Sequence, residues 1–269
     1  MYTQDTYRQL IVLLKDREYH FASFEETFPF GHPDKIVYLR HDIDYSLTWA
    51  LDFARINESL GVVGTFFLLP RSPINNLLSY PSLAIVKEII QLGQHIGLHY
   101  TIAEENMTDD TALVAHITGE YQNTLHHIEE LSPVFSWHNP SLTPDILRRG
   151  LDMNIPGMVS TYSRYFIEEV KYAADSNLRY LVKEFEEIIN SGFPRLQLLF
   201  HPFQWMSEGK DMQQVLANTW VHLIRERETE FCKNHIYRSL FPSGMPAEWL
   251  DRLATDMSEY CNPDKGNRT

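Results

Sequence analysis

The chain has 269 residues, 43% of them hydrophobic, with a formal net charge of -13. That length allows one large barrel-type domain or two small ones, and the apolar content is enough for a sizeable core. The acidic balance argues against a broad nucleic-acid or anionic-membrane surface, which needs clustered Lys and Arg.

The two cysteines, Cys232 and Cys261, make neither a metal-ligand spacing nor a disulfide framework. No apolar run is long enough to span a bilayer. The N-terminus has no basic start and no apolar h-region, so a cytoplasmic protein is expected.

Residues 5–16 read as a helix with Tyr7, Leu10, Ile11 and Leu14 on one face. Residues 21–24 are a candidate first strand, and 29–34 a turn-rich link. Residues 36–44, Ile-Val-Tyr-Leu-Arg-His-Asp-Ile-Asp, begin as an apolar run suited to a buried parallel strand. They end in two carboxylates, Asp42 and Asp44, behind Arg40 and His41. Like charges that close resist ionisation unless a cation sits between them, so packing alone does not explain this ending.

Residues 46–60 read as an amphipathic helix stopped at Gly61, and 62–69 as the next strand. The alternation continues with a helix at 82–92, a strand at 96–99, and a helix from Thr108-Asp109-Asp110 to about 131. A strand at 134–137 follows, then a short helix capped by Thr143-Pro144 and ending at Gly150. Weaker strands are expected at 158–161 and 170–173, a helix at 180–190 and a strong strand at 195–201. Helices at 211–234 and 247–260 and a polar tail at 262–269 complete the chain. About seven strands alternating with helices favour a parallel sheet with helices outside. No Gly-, Pro- or Ser-rich linker and no internal repeat divides the chain, so a single domain over 1–269 is expected.

Several strands finish alike: His41-Asp42-Ile43-Asp44, His99-Tyr100-Thr101, His138-Asn139 and His201-Pro202, with Asp175-Ser176 after a weaker strand. In a closed parallel barrel the strand C-termini lie on one face, so these residues could converge. Carboxylate with imidazole suits Zn²⁺, and also Fe²⁺, Mn²⁺ or Co²⁺. Each piece has a plainer alternative. Asp44 could cap the 46–60 helix, which still leaves Asp42 unexplained. His138 could be a backbone-bonded loop histidine. His95 has i, i+4 spacing to His99, but the intervening glycine and the expected strand favour a structural role. Trp137 and Trp205 are core or pocket wall, a wall role being reasonable because aromatic faces suit sugar rings.

Arg40-His41-Asp42-Ile43-Asp44, a helix, and then Gly64-Thr65-Phe66-Phe67 resemble the opening of the NodB-like polysaccharide deacetylases, carbohydrate esterase family 4 and relatives. Gly93-Gln94-His95-Ile96-Gly97-Leu98-His99 looks like that family's second motif, which supplies a metal histidine. Trp137-His138-Asn139-Pro140 sits where its third motif should lie, and Leu198-Leu199-Phe200-His201-Pro202 resembles its last. The match covers about 36–205 in the right order, leaving a C-terminal helical extension at about 211–260. The His-Asp-x-Asp form resembles a divergent branch linked with surface-polysaccharide (O-antigen or capsule) biosynthesis.

The resemblance implies an α/β fold, a distorted (β/α)7-type barrel. It implies a divalent metal, usually Zn²⁺, and hydrolysis of an N-acyl, typically N-acetyl, group on an amino sugar, a sugar nucleotide or a glycan. Asp44 matches the metal-binding aspartate, Asp42 the catalytic base, His99 the first metal histidine and His201 the general acid. The two Asp roles could be exchanged, because the family pair is adjacent and Ile43 is inserted here. The family's second metal histidine falls at Ala103, and His138 is the candidate replacement. Arg40 could supply the charge of an arginine missing from the third motif. Asp175 could tune His201 or bind a sugar hydroxyl. Two rivals stand beside this reading: an amidase acting on a non-sugar amide, and a degenerate glycan-binding or scaffold protein. The C-terminal helices could form a homo-oligomer interface.

Overall fold

The computed structural model describes residues 1–28, 31–32, 34–102, 109–143, 145–178 and 180–260. Eight strands, all parallel to their partners, form one sheet: β1 (Tyr19–Phe21), β2 (Lys35–Ile43), β3 (Thr65–Leu68), β4 (His95–Tyr100), β5 (Leu131–Trp137), β6 (Val159–Ser160), β7 (Lys171–Ala174) and β8 (Arg195–Phe200). The sheet order is β6-β5-β4-β3-β2-β8-β7, with β1 paired to β2. Among the described residues no β6–β7 pairing closes the ring, so the barrel is interrupted there. This is the α/β distorted-barrel class expected, seven strands in the path plus the short β1, which lies two residues earlier than the sequence suggests.

The chain divides into two compact units. One comprises Asp5–Pro202 and holds the sheet. The other comprises Met1–Gln4 and Phe203–Thr269. In the first unit α1 (Gln4–Asp16), α2 (Leu47–Ser59), α3 (Tyr80–Gln91), α4 (Asp110–Leu125) and α7 (Val182–Asn190) connect or flank the strands, with the single-turn α5 (Ile146–Gly150) and α6 (Arg164–Glu168) between them. α1 buries Tyr7, Leu10, Ile11 and Leu14, the stripe expected from its period. α8 (Pro202–Met206) crosses the division, and α9 (Met212–Phe231), α10 (His235–Leu240) and α11 (Ala247–Tyr260) belong to the second unit. There Tyr2 stacks on Trp205 at 4.2 Å, and rings step from Phe231 through Tyr237 and Phe241 to Trp249. Among the described residues no helix is long and apolar enough to cross a membrane.

Strand alternation sorts β2 into two faces. Ile36 and Tyr38 join Ala22, Phe24, Phe67, Val134, Phe166 and Val170 in one buried cluster. Phe24 touches Tyr38, Phe67 and Phe166 at 5.1 to 5.6 Å. Burying each such ring contributes about 1.5–3 kcal/mol. The next residues of that face are Arg40, Asp42 and Asp44, so one strand face runs from apolar floor to charged rim. The other face carries Val37, Leu39, His41 and Ile43, and His41 there meets Phe53 of α2 and Phe66.

Of the boundaries that differ from the sequence reading, two flank the α4–β5 connection. α4 ends at Leu125, where the N–H groups of His127 and Ile128 turn back to Thr124 O, instead of continuing to about 131. β5 then begins at Leu131 and not Val134. A register shift between β4 residues Ile96 and Leu98 lets it carry Pro133, which cannot donate to a regular ladder. Thr108, Pro144 and the 262–269 tail lie outside the described residues, as do parts of the 29–34 link.

Candidate metal centre and active site

β2 delivers its carboxylates by alternation, because residues i and i+2 share a face. Arg40 Nε donates to Asp42 Oδ1 at 2.8 Å, and Arg40 Nη2 donates to Asp42 Oδ2 at 2.7 Å. Both side chains are buried. Arg40 Nη1 also donates to Thr161 Oγ1 at 3.2 Å, and the guanidinium lies 4.8 Å from the Tyr162 ring. Burial would raise the Asp42 carboxyl, but the Arg40 charge, helped by His99, outweighs it and holds the group well below the ordinary carboxylate range.

Asp44, one step further, does not cap α2. Ser46 does, its Oγ accepting from Trp49 N at 3.2 Å. Asp44 Oδ1 instead lies 3.3 Å from His99 Nε2 and 3.8 Å from His138 Nε2. One ligand atom from each of the three residues lies within 4.8 Å of the others. Asp44 Oδ1 is buried and has no hydrogen-bond partner among the described residues. A carboxylate and two imidazoles converging around an orphaned oxygen fit a divalent ion of the zinc type. Burial pushes the Asp44 carboxyl up, while His99 and His201 bring it below its usual value. Burial and then His99 push the His138 imidazole down, toward the neutral form that a metal ligand needs.

His99 stands at the end of β4 on the face that carries Gly97, and His138 directly follows β5. His99 Nδ1 lies 2.7 Å from Ser136 Oγ, and His138 Nδ1 lies 3.2 Å from Thr101 Oγ1. Asn139, left-handed at φ 47°, brings its Nδ2 to 3.1 Å from His138 Nε2. His95 sits at the opposite end of β4 and is not in the cluster. Ala103 lies outside the described residues.

His201 follows β8. Its backbone N–H donates to Asp175 Oδ2 at 2.7 Å, and its Nδ1 lies 2.5 Å from Asp175 Oδ1. Its Nε2 faces Asp44 Oδ2 at 3.9 Å. Burial would lower the His201 imidazole, but Asp175 outweighs it and the group rises to about 9. Both Asp175 oxygens are thus engaged by His201, and the side chain is fully buried. The geometry sets Asp175 against His201 through both oxygens.

Arg40, Asp42, Asp44, His99, His138, Asp175 and His201 therefore meet at the carboxyl ends of the strands. The two tryptophans are both buried. Trp137 is 1% exposed, its ring edge-on to Tyr100 and Phe135. Trp205 is 0% exposed and stacked on Tyr2 in the other unit. Packing occupies both rings, which is the core alternative of the two expected for them. Sequence reasoning passed over Ser136, Thr161 and Tyr162. Ser136 carries no local signal, because its partner His99 is set by the β4–β5 register.

No family model and no curated protein match the chain. Among solved structures it is similar to a chitin deacetylase from the fungal pathogen Colletotrichum lindemuthianum, at 16% identity and TM-score 0.43, over 68% of this chain and 80% of that one. It is similar to a mutant of a CE4 family pseudoenzyme with restored enzymatic activity, at 12% identity and TM-score 0.41, over 72% and 65%. A third is a Streptococcus pyogenes deacetylase in complex with acetate, at 12% identity and TM-score 0.40, over 75% and 82%.

Proposed function

We propose that this protein is a metal-dependent hydrolase that removes an N-acyl group, an acetyl in the first instance, from an amino sugar. The observation that carries the reading is the meeting of Asp44 Oδ1, His99 Nε2 and His138 Nε2 beside Asp42 and His201. The motif resemblance supplies the substrate class: an N-acetylated amino sugar, free, nucleotide-linked or within a glycan, in surface-polysaccharide biosynthesis.

Asp44, His99 and His138 would hold the ion, Zn²⁺ by the character of its donors. A divalent ion there supplies Lewis acidity, polarising an acyl oxygen and acidifying water. Arg40 keeps Asp42 ionised, with Asp42 Oδ2 3.6 Å from His99 Nε2 and so beside the ligand cluster. Asp42 Oδ2 accepts the proton of the attacking water as its oxygen bonds to the acyl carbon. His201, charged at neutral pH, keeps Nδ1 on Asp175 and donates from Nε2 to the departing nitrogen as the C–N bond breaks. The products are a free amine and a carboxylate.

The test is metal content after dialysis, together with release of acetate from N-acetylated amino sugars and sugar nucleotides, for wild type and His138→Ala. The proposal expects near-stoichiometric zinc, lost in the variant along with acetate release. A chain that holds no metal after zinc is supplied, and releases no acetate, would overturn it. Zinc uptake with turnover only of non-sugar amides would reject the substrate class alone.

A further inference from the structure

His99-Tyr100-Thr101 and Ser136-Trp137-His138 are each a histidine and a hydroxyl residue two positions apart, in opposite order, at the ends of neighbouring strands. Spacing of two puts both side chains of each tripeptide on one face. The parallel register sets His99 against Ser136 and Tyr100 against Trp137, and His138 N–H donates to Tyr100 O at 2.8 Å. Each histidine therefore lies beside the other strand's hydroxyl. His99 Nδ1 lies 2.7 Å from Ser136 Oγ, and His138 Nδ1 lies 3.2 Å from Thr101 Oγ1.

We propose that Ser136 and Thr101 are positioning residues for the metal-facing histidines. Each hydroxyl oxygen accepts from the Nδ1–H of the histidine on the neighbouring strand, which fixes the tautomer whose Nε2 lone pair faces Asp44. At His99 the two ring nitrogens face different partners, Nδ1 toward Ser136 Oγ at 2.7 Å and Nε2 toward Asp44 Oδ1 at 3.3 Å. Ser136 and His99 are both buried, and a buried imidazole nitrogen without a partner is costly. Partners that hold the far nitrogen of a ligating histidine typically change metal affinity about 10- to 100-fold when removed. A hydroxyl does this without adding charge, leaving Asp44 as the sole carboxylate of the three-residue cluster. Ser136 is the stronger of the two, being nearer to its histidine and more deeply buried.

The metal part of this inference rests on the proposed function, but the tautomer part does not. Long-range ¹⁵N–¹H spectra of the metal-free protein would report the tautomers. Zn²⁺ and Co²⁺ affinities would be measured by chelator competition for wild type, Ser136→Ala, Thr101→Val and Ser136→Thr. Both histidines are expected as the Nδ1–H form in wild type. Ser136→Ala should mix the tautomers of His99 alone and weaken zinc about 10- to 100-fold. Thr101→Val should act on His138 with a smaller loss, and Ser136→Thr, which keeps the hydroxyl, should restore the His99 tautomer. An Nε2–H His99 in wild type, or an unchanged tautomer in Ser136→Ala, would overturn the inference. A wild-type chain that binds no metal would sink the metal reading, and the spectra would still decide the tether.

Discussion

Arg40 and Asp42 form a two-pronged ion pair within a single strand, two residues apart, with both side chains buried. The two partners are unequal, because a guanidinium cannot shed its proton whereas a carboxylate can take one up. Asp42→Asn leaves a buried cation with no carboxylate and should cost about 3–5 kcal/mol in urea unfolding at pH 7. Arg40→Met should cost less, because the stranded carboxylate can protonate, and its pKa should rise accordingly. Equal losses in the two variants would show that the pair is not desolvated as described.

The second prediction concerns Asp175. With Asn in its place, burial at His201 is offset only by the smaller contributions of Asp44 and Asp42, and the imidazole should titrate below its present value of about 9. Because the folded value lies above the ordinary 6.5, the pair adds stability that is full below about pH 6.5 and lost as pH rises through about 9. Titrating the His201 ring by NMR in metal-free wild type and Asp175→Asn checks this. Coincident curves would remove Asp175 from its assigned role.

His41 behaves in the opposite sense. On the outer face of β2, Asn57 Nδ2 lies 3.2 Å from its Nε2, and Tyr7 OH donates to Asn57 Oδ1 at 2.7 Å. Burial lowers His41 to about 3, Asp42 opposing and His201 assisting. The unfolded chain therefore binds a proton that the folded chain refuses between pH 6.5 and about 3. Stability contributed by this group is present above pH 6.5 and falls by about 1.4 kcal/mol per pH unit as pH drops through that window. Unfolding free energies from pH 7 to 4.5 should be steeper in pH for wild type than for His41→Asn by about one proton. Parallel slopes would contradict the burial of a neutral His41.

Two glycines hold space and not a turn. A Cβ on Gly64 would lie 2.9 Å from His41 Nε2, and one on Gly97 2.6 Å from Phe67 Cε1 and 2.9 Å from Val134 Cγ2. Gly64→Ala and Gly97→Ala should each destabilise by about 1–3 kcal/mol through overpacking. Phe67→Leu should recover part of the Gly97→Ala loss in a double-mutant cycle. Full additivity would mean that the clash is relieved elsewhere.

The elements and the polar strand ends were legible because periodicity and residue type are local. In a parallel sheet, local strand endings are enough to bring Asp44, His99, His138 and His201 together. His138 could be nominated because it stands at a strand end, in the stretch that resembles the third motif. What escaped needed register. Ser136 is an unremarkable serine until β4 is laid against β5, and the start of β5 was hidden by Pro133, whose accommodation depends on the neighbouring strand. Trp137 and Trp205 stayed open between core and pocket wall because composition cannot tell a ring packed by Tyr100 or Tyr2 from one facing a cleft.

β3 contributes no polar group to the cluster, yet it lies between the strands that do. Its last residue, Leu68, is level with Ile43 and Leu98, one position short of Asp44 and His99. Two inter-strand spacings, about 10 Å, therefore separate the backbones from which the aspartate and the first histidine reach toward each other. The width of the opening between them is metered by the sheet and not by any loop. Loops above the strands can change length or sequence without altering the gauge of the carboxylate–imidazole cluster beneath.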